Sequence, residues 1–376
     1  MNITTILVFL LLLIVPRLLA AQVPVPFIEI LIDSLASGDD KAIADLDNDG
    51  KKDLILGGKK FSWYREENGK YVKYKIVDPI EEFTTDMRTG DFDNDGDIDL
   101  MVGDGKEADN VMWYENPLPA VSPANNGVWK KHVIGTHGDW MHNVASGDVN
   151  MDNNLDVVTG GHGVILLWLN QGKDKWQKID LSAYGGGSIE VYDMDGDGDK
   201  DILTTKGWIE CPRDSFKEDW LFHRIKGLAA ETVGAGDIDN DGKADILAAD
   251  SAHVEGKLYW FKINTTPFDS VWKKTQVESK CGTHKLQVAD FNRDGHSDIL
   301  FGLELNYIGI LYQRPGRPGT FMKQIISTKG GHNATADDVD NDGDLDILSC
   351  DYLNHPPLKL FINNSSSEKS ARVIMK

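Results

Sequence analysis

Side-chain oxygens recur seven times along this chain in one spacing, at positions 1, 3, 5 and 9 of a nine-residue run. The sets are Asp45, Asp47, Asp49 and Asp53; Asp91, Asp93, Asp95 and Asp99; Asp148, Asn150, Asp152 and Asp156; and Asp193, Asp195, Asp197 and Asp201. The other three are Asp237, Asp239, Asp241 and Asp245; Asp290, Asn292, Asp294 and Asp298; and Asp338, Asp340, Asp342 and Asp346. Carboxylates this close repel one another, so a hard cation is needed to hold them together. Position 6 is Gly in every copy but one, where Asn153 stands instead. Both residues tolerate the left-handed backbone of a sharp turn. Calcium fits such a loop, because it accepts six to eight oxygens in loose geometry, whereas magnesium holds a strict octahedron and keeps its waters. Up to seven Ca2+ are expected, bound least firmly where Asn150 and Asn292 replace a carboxylate.

A second set of residues could do different chemistry. Six residues before each first Asp stand Asp39, Thr85, His142, Gly187, Glu231, His284 and His332. Equal offsets in a closed ring of repeats would place them on one circle. Segments further along each repeat add His162, His253 and His355 to the same side, with His137 nearby. Imidazoles beside a carboxylate suit Zn2+ or Mn2+, or proton abstraction next to a sugar carbonyl or carboxylate. In the second case Lys285 or Arg88 would steady the developing anion. The catalytic candidates are therefore His142, Glu231, His284, His332 and Lys285. The ligand-binding candidates are Asp39, His162, His253, His355, Arg88, Trp140 and Tyr307. Trp208 and Tyr352 fall in neighbouring segments, where an aromatic ring could stack on a sugar. The plainer alternative is that these histidines cap strand ends and the aromatics belong to the core.

The elements that must position these groups are short strands. First-Asp spacings are 46, 57, 45, 44, 53 and 48 residues. Each acidic run is followed by a brief apolar stretch such as Leu54–Leu56, an aromatic one such as Leu258–Phe261, and a basic amphipathic one such as Tyr71–Ile76. The segment ahead of the run supplies the remaining strand. Four strands in each of seven repeats of this length predict an all-β, seven-bladed propeller. The last repeat lacks its basic strand, and Phe27–Asp33 precedes the first acidic run. Pairing these two ends would close the ring and leave no open edge. Blade four is the least regular, with Cys211-Pro212 interrupting its aromatic strand, and Gly185–Gly187 would leave a gap in the ring of side chains.

These loops resemble the FG-GAP and VCBS repeat families, whose integrin-alpha-like propellers carry calcium loops of this spacing. The resemblance covers residues 36–363 and implies that the loops lie between first and second strands, away from the ligand face. Phe-Gly and Gly-Ala-Pro pieces typical of integrin repeats are missing, which places the chain nearer the VCBS-like branch. Trp113-Tyr-Glu-Asn-Pro117 followed by Trp129–Ile134 also resembles propellers of the aldos-2-ulose dehydratase type, a sugar lyase group.

Composition sets the setting. The formal charge is -21, and the seven runs hold 29 of the 60 acidic residues. No basic-aromatic cluster points to nucleic acid. Residues 1–21 read as a signal peptide, with an apolar run over Ile6–Val15 too short to span a bilayer. The propeller is expected over 22–364 and a disordered tail over 365–376. The product would be secreted, extracellular or periplasmic, monomeric, and without a membrane span once the signal is removed. Three widely spaced cysteines read as buried thiols, and Asn264, Asn363 and Asn364 head glycosylation sequons. No Gly-x-Ser-x-Gly elbow or phosphate loop is present. Two functions remain open: lyase or isomerase chemistry on carbohydrate, or non-catalytic binding of a glycan or extracellular protein.

Overall fold

The computed structural model describes residues 24–365 except 59, 78–83, 105–108, 120–121, 123, 125–127, 139, 214, 216–218, 253–254, 304–305 and 353–354. The segment 1–21 and the tail from 366 lie outside the described residues, as does His253. Seven antiparallel sheets of four strands each form the blades. Blade one runs Lys41–Ala44, Asp53–Leu56, Phe61–Glu67 and Lys70–Val77. The innermost strands of the next blades are Thr84–Gly90, Met141–Gly147, Ile189–Tyr192, Thr232–Gly236, Leu286–Ala289 and Thr335–Asp337.

Each blade's sequence pattern follows from where its strands sit. The second strands, such as Asp53–Leu56 and Asp245–Ala249, are buried along their whole length. Neighbouring blades cover both of their faces, so they read as unbroken apolar runs. The outermost strands are largely open to solvent, as in Lys273–Ser279, which explains their basic amphipathic sequence. Hydrophobic packing is concentrated between blades rather than within them. One cluster joins Trp63 and Phe61 to Tyr114 of the next blade, and another joins Trp113 to Trp168. Burying rings of this size contributes on the order of 2–3 kcal/mol each.

The ring closes with one strand from each end of the fold. Phe27–Asp33 pairs antiparallel with Leu358–Asn363, from Phe27 opposite Asn363 to Asp33 opposite Leu358. Blade six is tied to blade seven by Gln287, whose side chain donates to the Ala336 carbonyl (2.9 Å) and accepts from the Ala336 amide (3.0 Å).

Two local expectations change. Trp208 does not sit in a surface loop. It lies on the short strand Gly207–Glu210, fully buried, with its ring 4.3 Å from that of His223. Blade four's third strand ends just before Cys211-Pro212, so the tryptophan that sequence position put in a connecting loop is core. Asn363 is buried in the closing strand and donates to the Phe291 carbonyl at 2.8 Å, which leaves no room for a glycan on the folded chain. All three cysteines are free and buried. Among the described residues, no helix is long and apolar enough to cross a membrane.

Candidate functional site at the channel mouth

The acidic loops occupy one rim, each joining the first strand of a blade to its second. Their geometry is repetitive. In six loops the first Asp accepts the amides of positions 5 and 6, as Asp45 does from Asp49 (3.1 Å) and Gly50 (2.8 Å), and in the fourth Asp193 accepts those of Gly196 (2.7 Å) and Gly198 (3.2 Å). Position 4 takes positive φ, 56° at Asn48 and 58° at Asn341, and Asn153 adopts φ 68° where other loops use Gly. Position 9 accepts the amide of position 2, as Asp99 does from Phe92 (3.1 Å), and also the amide of Asn116 (2.8 Å) at the end of the third strand. Asn116 in turn donates to the Leu46 carbonyl of the previous blade (2.9 Å), so the ninth residue couples loop to blade interface. Asn170, Gln313 and Asn363 repeat this link.

The loops fit a cation. In five of them three carboxylates bring an oxygen each within 4.8 Å of one another, for example Asp91, Asp93 and Asp99. Asp47 and Asp239 each keep one buried oxygen without a hydrogen-bond partner. Burial raises the ninth Asp well above the usual carboxylate range, to about 8 at Asp53, Asp99 and Asp201, despite the amides it accepts. A divalent ion would reverse that. The loops holding Asn150 and Asn292 form no such three-acid group. Two loops also carry a cation of their own: Arg65 pairs with Asp47 (3.0 Å) and Asp49 (2.8 Å), and Lys262 pairs with Asp239 and Asp241.

The opposite rim surrounds a cavity of about 540 Å³ on the propeller axis. Asp39, His142, Gly187, Glu231, His284 and His332 all line it, so six of the seven equal-offset positions meet there. The seventh, Thr85, begins blade two beside them, with its side chain outside the described residues. Arg88, Lys285, His162 and Trp140 join the lining. The imidazoles divide into two groups. His142 stacks on Trp140 (5.1 Å between centroids) and lies 4.9 Å from His162. His284 lies 5.1 Å from His332, which meets Tyr352 edge-on at 5.6 Å.

Deeper in the channel the residues are ionic. Arg88 donates to Asp86 (2.8 Å), and Asp86 also accepts the Val144 amide of blade three (3.0 Å). Burial raises the Glu190 carboxyl, partly offset by the charges of Arg88 and Lys285. Lys285 is lowered to about 8 by burial and then by Arg88. His332 is pushed well below the ordinary histidine value by burial, then by Lys41 and His284, and its Nδ1 is buried without a hydrogen-bond partner. It is a neutral imidazole at pH 7.

Other candidates sit outside the cavity. Tyr307 packs edge-on against Phe301 and donates its hydroxyl to the Lys280 carbonyl. His355 is exposed, 4.8 Å from Tyr352. His137 is buried, with Nδ1 3.0 Å from the Thr159 hydroxyl. Counting by offset could also have found what was missed. Positions five before the first Asp give Asp86, Asn143 and Asn333, and three before it give Glu190 beside the already expected Arg88; all line the same cavity.

Comparison with known proteins agrees with this architecture. The profile of FG-GAP-like repeats matches residues 45–102, 91–159, 148–204 and 227–301. No curated protein matches the chain in sequence. Among solved structures, a lectin from Agrocybe aegerita that recognises non-reducing terminal N-acetylglucosamine aligns at 15% identity and TM-score 0.52, over 79% of this chain and 81% of that one. BBS1N, solved in complex with ARL6DN, aligns at 11% identity and TM-score 0.56, over 90% and 96%. Raptor of Chaetomium thermophilum aligns at 12% identity and TM-score 0.54, over 89% of this chain and 28% of its own. At these identities the likeness is one of fold.

Proposed function

This chain belongs to the FG-GAP-like repeat family, and within that fold we propose that it is an exported, calcium-stabilised propeller that acts on carbohydrate through its channel mouth. The observation that carries this reading is the single cavity that gathers Trp140, four imidazoles, Glu231, Arg88 and Lys285. An aromatic face beside polar groups suits a sugar ring. Imidazole next to fixed cations is what proton abstraction at a carbon beside a carbonyl requires, so lyase or isomerase chemistry follows. His142 and His284 are the bases in this proposal, and Arg88 and Lys285 steady the anion. In the alternative to base chemistry at His284, that imidazole and His332, with ring centroids 5.1 Å apart, would hold one Zn2+ or Mn2+ and leave His142 as the base. Such an ion would polarise a sugar oxygen. Ca2+ occupies the acidic loops and contributes stability rather than chemistry.

A second reading, non-catalytic binding of a glycan or protein, has its own support. Among the described residues no group of three ligating side chains converges at the mouth. The similar lectin and the ARL6DN-bound BBS1N also recognise partners. The test is a panel of oligosaccharides assayed for binding and for new reducing ends, with the metal content measured after mild calcium chelation. Turnover that is lost in His142→Ala and His284→Ala supports the enzyme. Saturable binding without turnover, and with calcium alone bound, supports the lectin-like reading.

A further inference from the structure

The channel mouth is low on one side. Where other blades present Asp39, His142, Glu231 or a further histidine, blade four presents Gly187, preceded by Gly185 and Gly186. Gly186 forms part of the wall of the mouth and of a second hollow of about 490 Å³ on the outer side of this sill. The sill is fixed by its backbone. Gly187 donates to the Gly161 carbonyl (2.6 Å) and Gly186 accepts from the Thr205 hydroxyl (3.1 Å). A Cβ on Gly186 would lie 2.4 Å from Gly163 Cα, so no side chain can stand there.

Beyond the sill lie an aromatic face and two cations. Tyr184 and Phe222 are stacked with centroids 5.4 Å apart, and Tyr184 is pinned by its hydroxyl to the Trp220 carbonyl (2.8 Å). Lys206 and Arg224 line the same hollow and are exposed. Neither has an ion-pair partner among the described residues, so both charges face the hollow. In a chain of formal charge -21 these two cations meet at one hollow, because Lys206 adjoins Gly207, the strand partner of Arg224.

We propose that this hollow is a second subsite of one groove and that the ligand is an acidic oligosaccharide. One sugar sits in the mouth, the chain crosses the glycine sill, and a carboxylate- or sulfate-bearing sugar lies against Tyr184 and Phe222 with its anion on Lys206 and Arg224. This rests on the carbohydrate reading of the mouth and adds to it a charge and a minimum length.

The test is calorimetric titration of the full propeller in calcium. The probes are galacturonic acid, its dimer to tetramer, neutral malto-oligosaccharides of the same lengths, sodium sulfate and poly-glutamate. Affinity should rise by about tenfold or more from acidic monomer to trimer, not along the neutral series, and the gain should fade with salt. Lys206→Glu/Arg224→Glu should remove that gain and leave monomer binding unchanged, while His142→Ala weakens every saccharide. A gain that survives the charge reversal, or equal affinity for acidic and neutral chains, overturns the second subsite and leaves the mouth intact. Sulfate or poly-glutamate binding as tightly as the acidic trimer overturns it in favour of a simple anion or peptide site. If no saccharide binds the unaltered protein, the carbohydrate reading falls as well.

Discussion

The two rims of this propeller are built on opposite rules. On the loop rim the same carboxylates accept the same amides in six of the seven blades, and the departures are small, as at Asp193, which takes the Gly196 amide instead, or at Asn153, which keeps a positive φ like the glycine it replaces. On the channel rim the equivalent positions vary widely, from Asp39 to His142 to Gly187 to Glu231, with histidine alone recurring. A ring of repeats must solve one folding problem seven times, so its stability device repeats. A single ligand on the axis meets every blade once, so recognition is built from their differences. Binding energy at the first rim therefore adds to folding energy, while groups at the second can be changed at little cost to the fold.

The largest effect should come from removing the cation. An ion held at one hundred times its dissociation constant adds about 2.7 kcal/mol for each site. Chelation should therefore lower the melting temperature by roughly 10 °C or more, given that about 1 kcal/mol moves a large domain by a few degrees. Calorimetry with and without chelator checks this, and an unchanged melting temperature would reduce the loops to ordinary turns. Substitution on the other rim should give the converse. His142→Ala or His284→Ala should cut turnover by about 100-fold or more and leave the melting temperature nearly unmoved. Loss of stability in both variants would place these histidines in the scaffold.

A pH profile sharpens the same division. Lys285, lowered to about 8 by burial and by Arg88, is charged below that pH and neutral above it. If it steadies an anion, turnover falls as pH rises through about 8. Lys285→Arg should carry that limb upward, because guanidinium keeps its proton beyond about pH 12. Smaller effects are expected within the loop rim. Asn292→Asp restores the missing carboxylate and should tighten calcium there, by roughly tenfold if it recovers about 1.4 kcal/mol. Lys262→Met frees Asp239 and Asp241 from their own cation and should tighten that loop too. Calcium titration of each variant checks both.

The difference between the rims also explains what could be read from the residues alone. Repetition is visible in a sequence because it is periodic, so blade number, strand order and closure by Phe27–Asp33 were all legible. The six mouth positions were legible for the same reason, since a constant offset from a repeated loop fixes a constant height in the channel. Deeper groups such as Asp86 and Glu190 needed the same counting carried one and three residues further. Trp208 misled because blade four's third strand, Gly207–Glu210, follows its acidic run sooner than in the other blades, and out of register a buried strand and an exposed loop look alike. Nor could offset foretell that His142 would turn toward Trp140 and His162 while His284 turned toward His332. Height in a ring is set by register, but side-chain grouping is set by the neighbours on each side.

The smallest effect tests whether the mouth imposes any cost on the fold. His332 is held neutral by burial, then by the charge of Lys41 and by His284, with a pKa well below its unfolded value near 6.5. Below that pH the unfolded chain takes up a proton that the folded chain refuses, so the unfolded state binds more protons. Stability from this group is therefore complete above about pH 6.5 and declines as pH falls, by at most about 1.4 kcal/mol per pH unit. His332→Gln cannot titrate, so its stability should fall less steeply than that of the unaltered protein between about pH 6.5 and 5. The acidic loops titrate in both proteins and cancel in the difference. Denaturant unfolding in saturating calcium across this range measures it. Parallel curves would mean that His332 takes up its proton in the folded state, and the channel rim would then carry no electrostatic strain for the loop rim to offset.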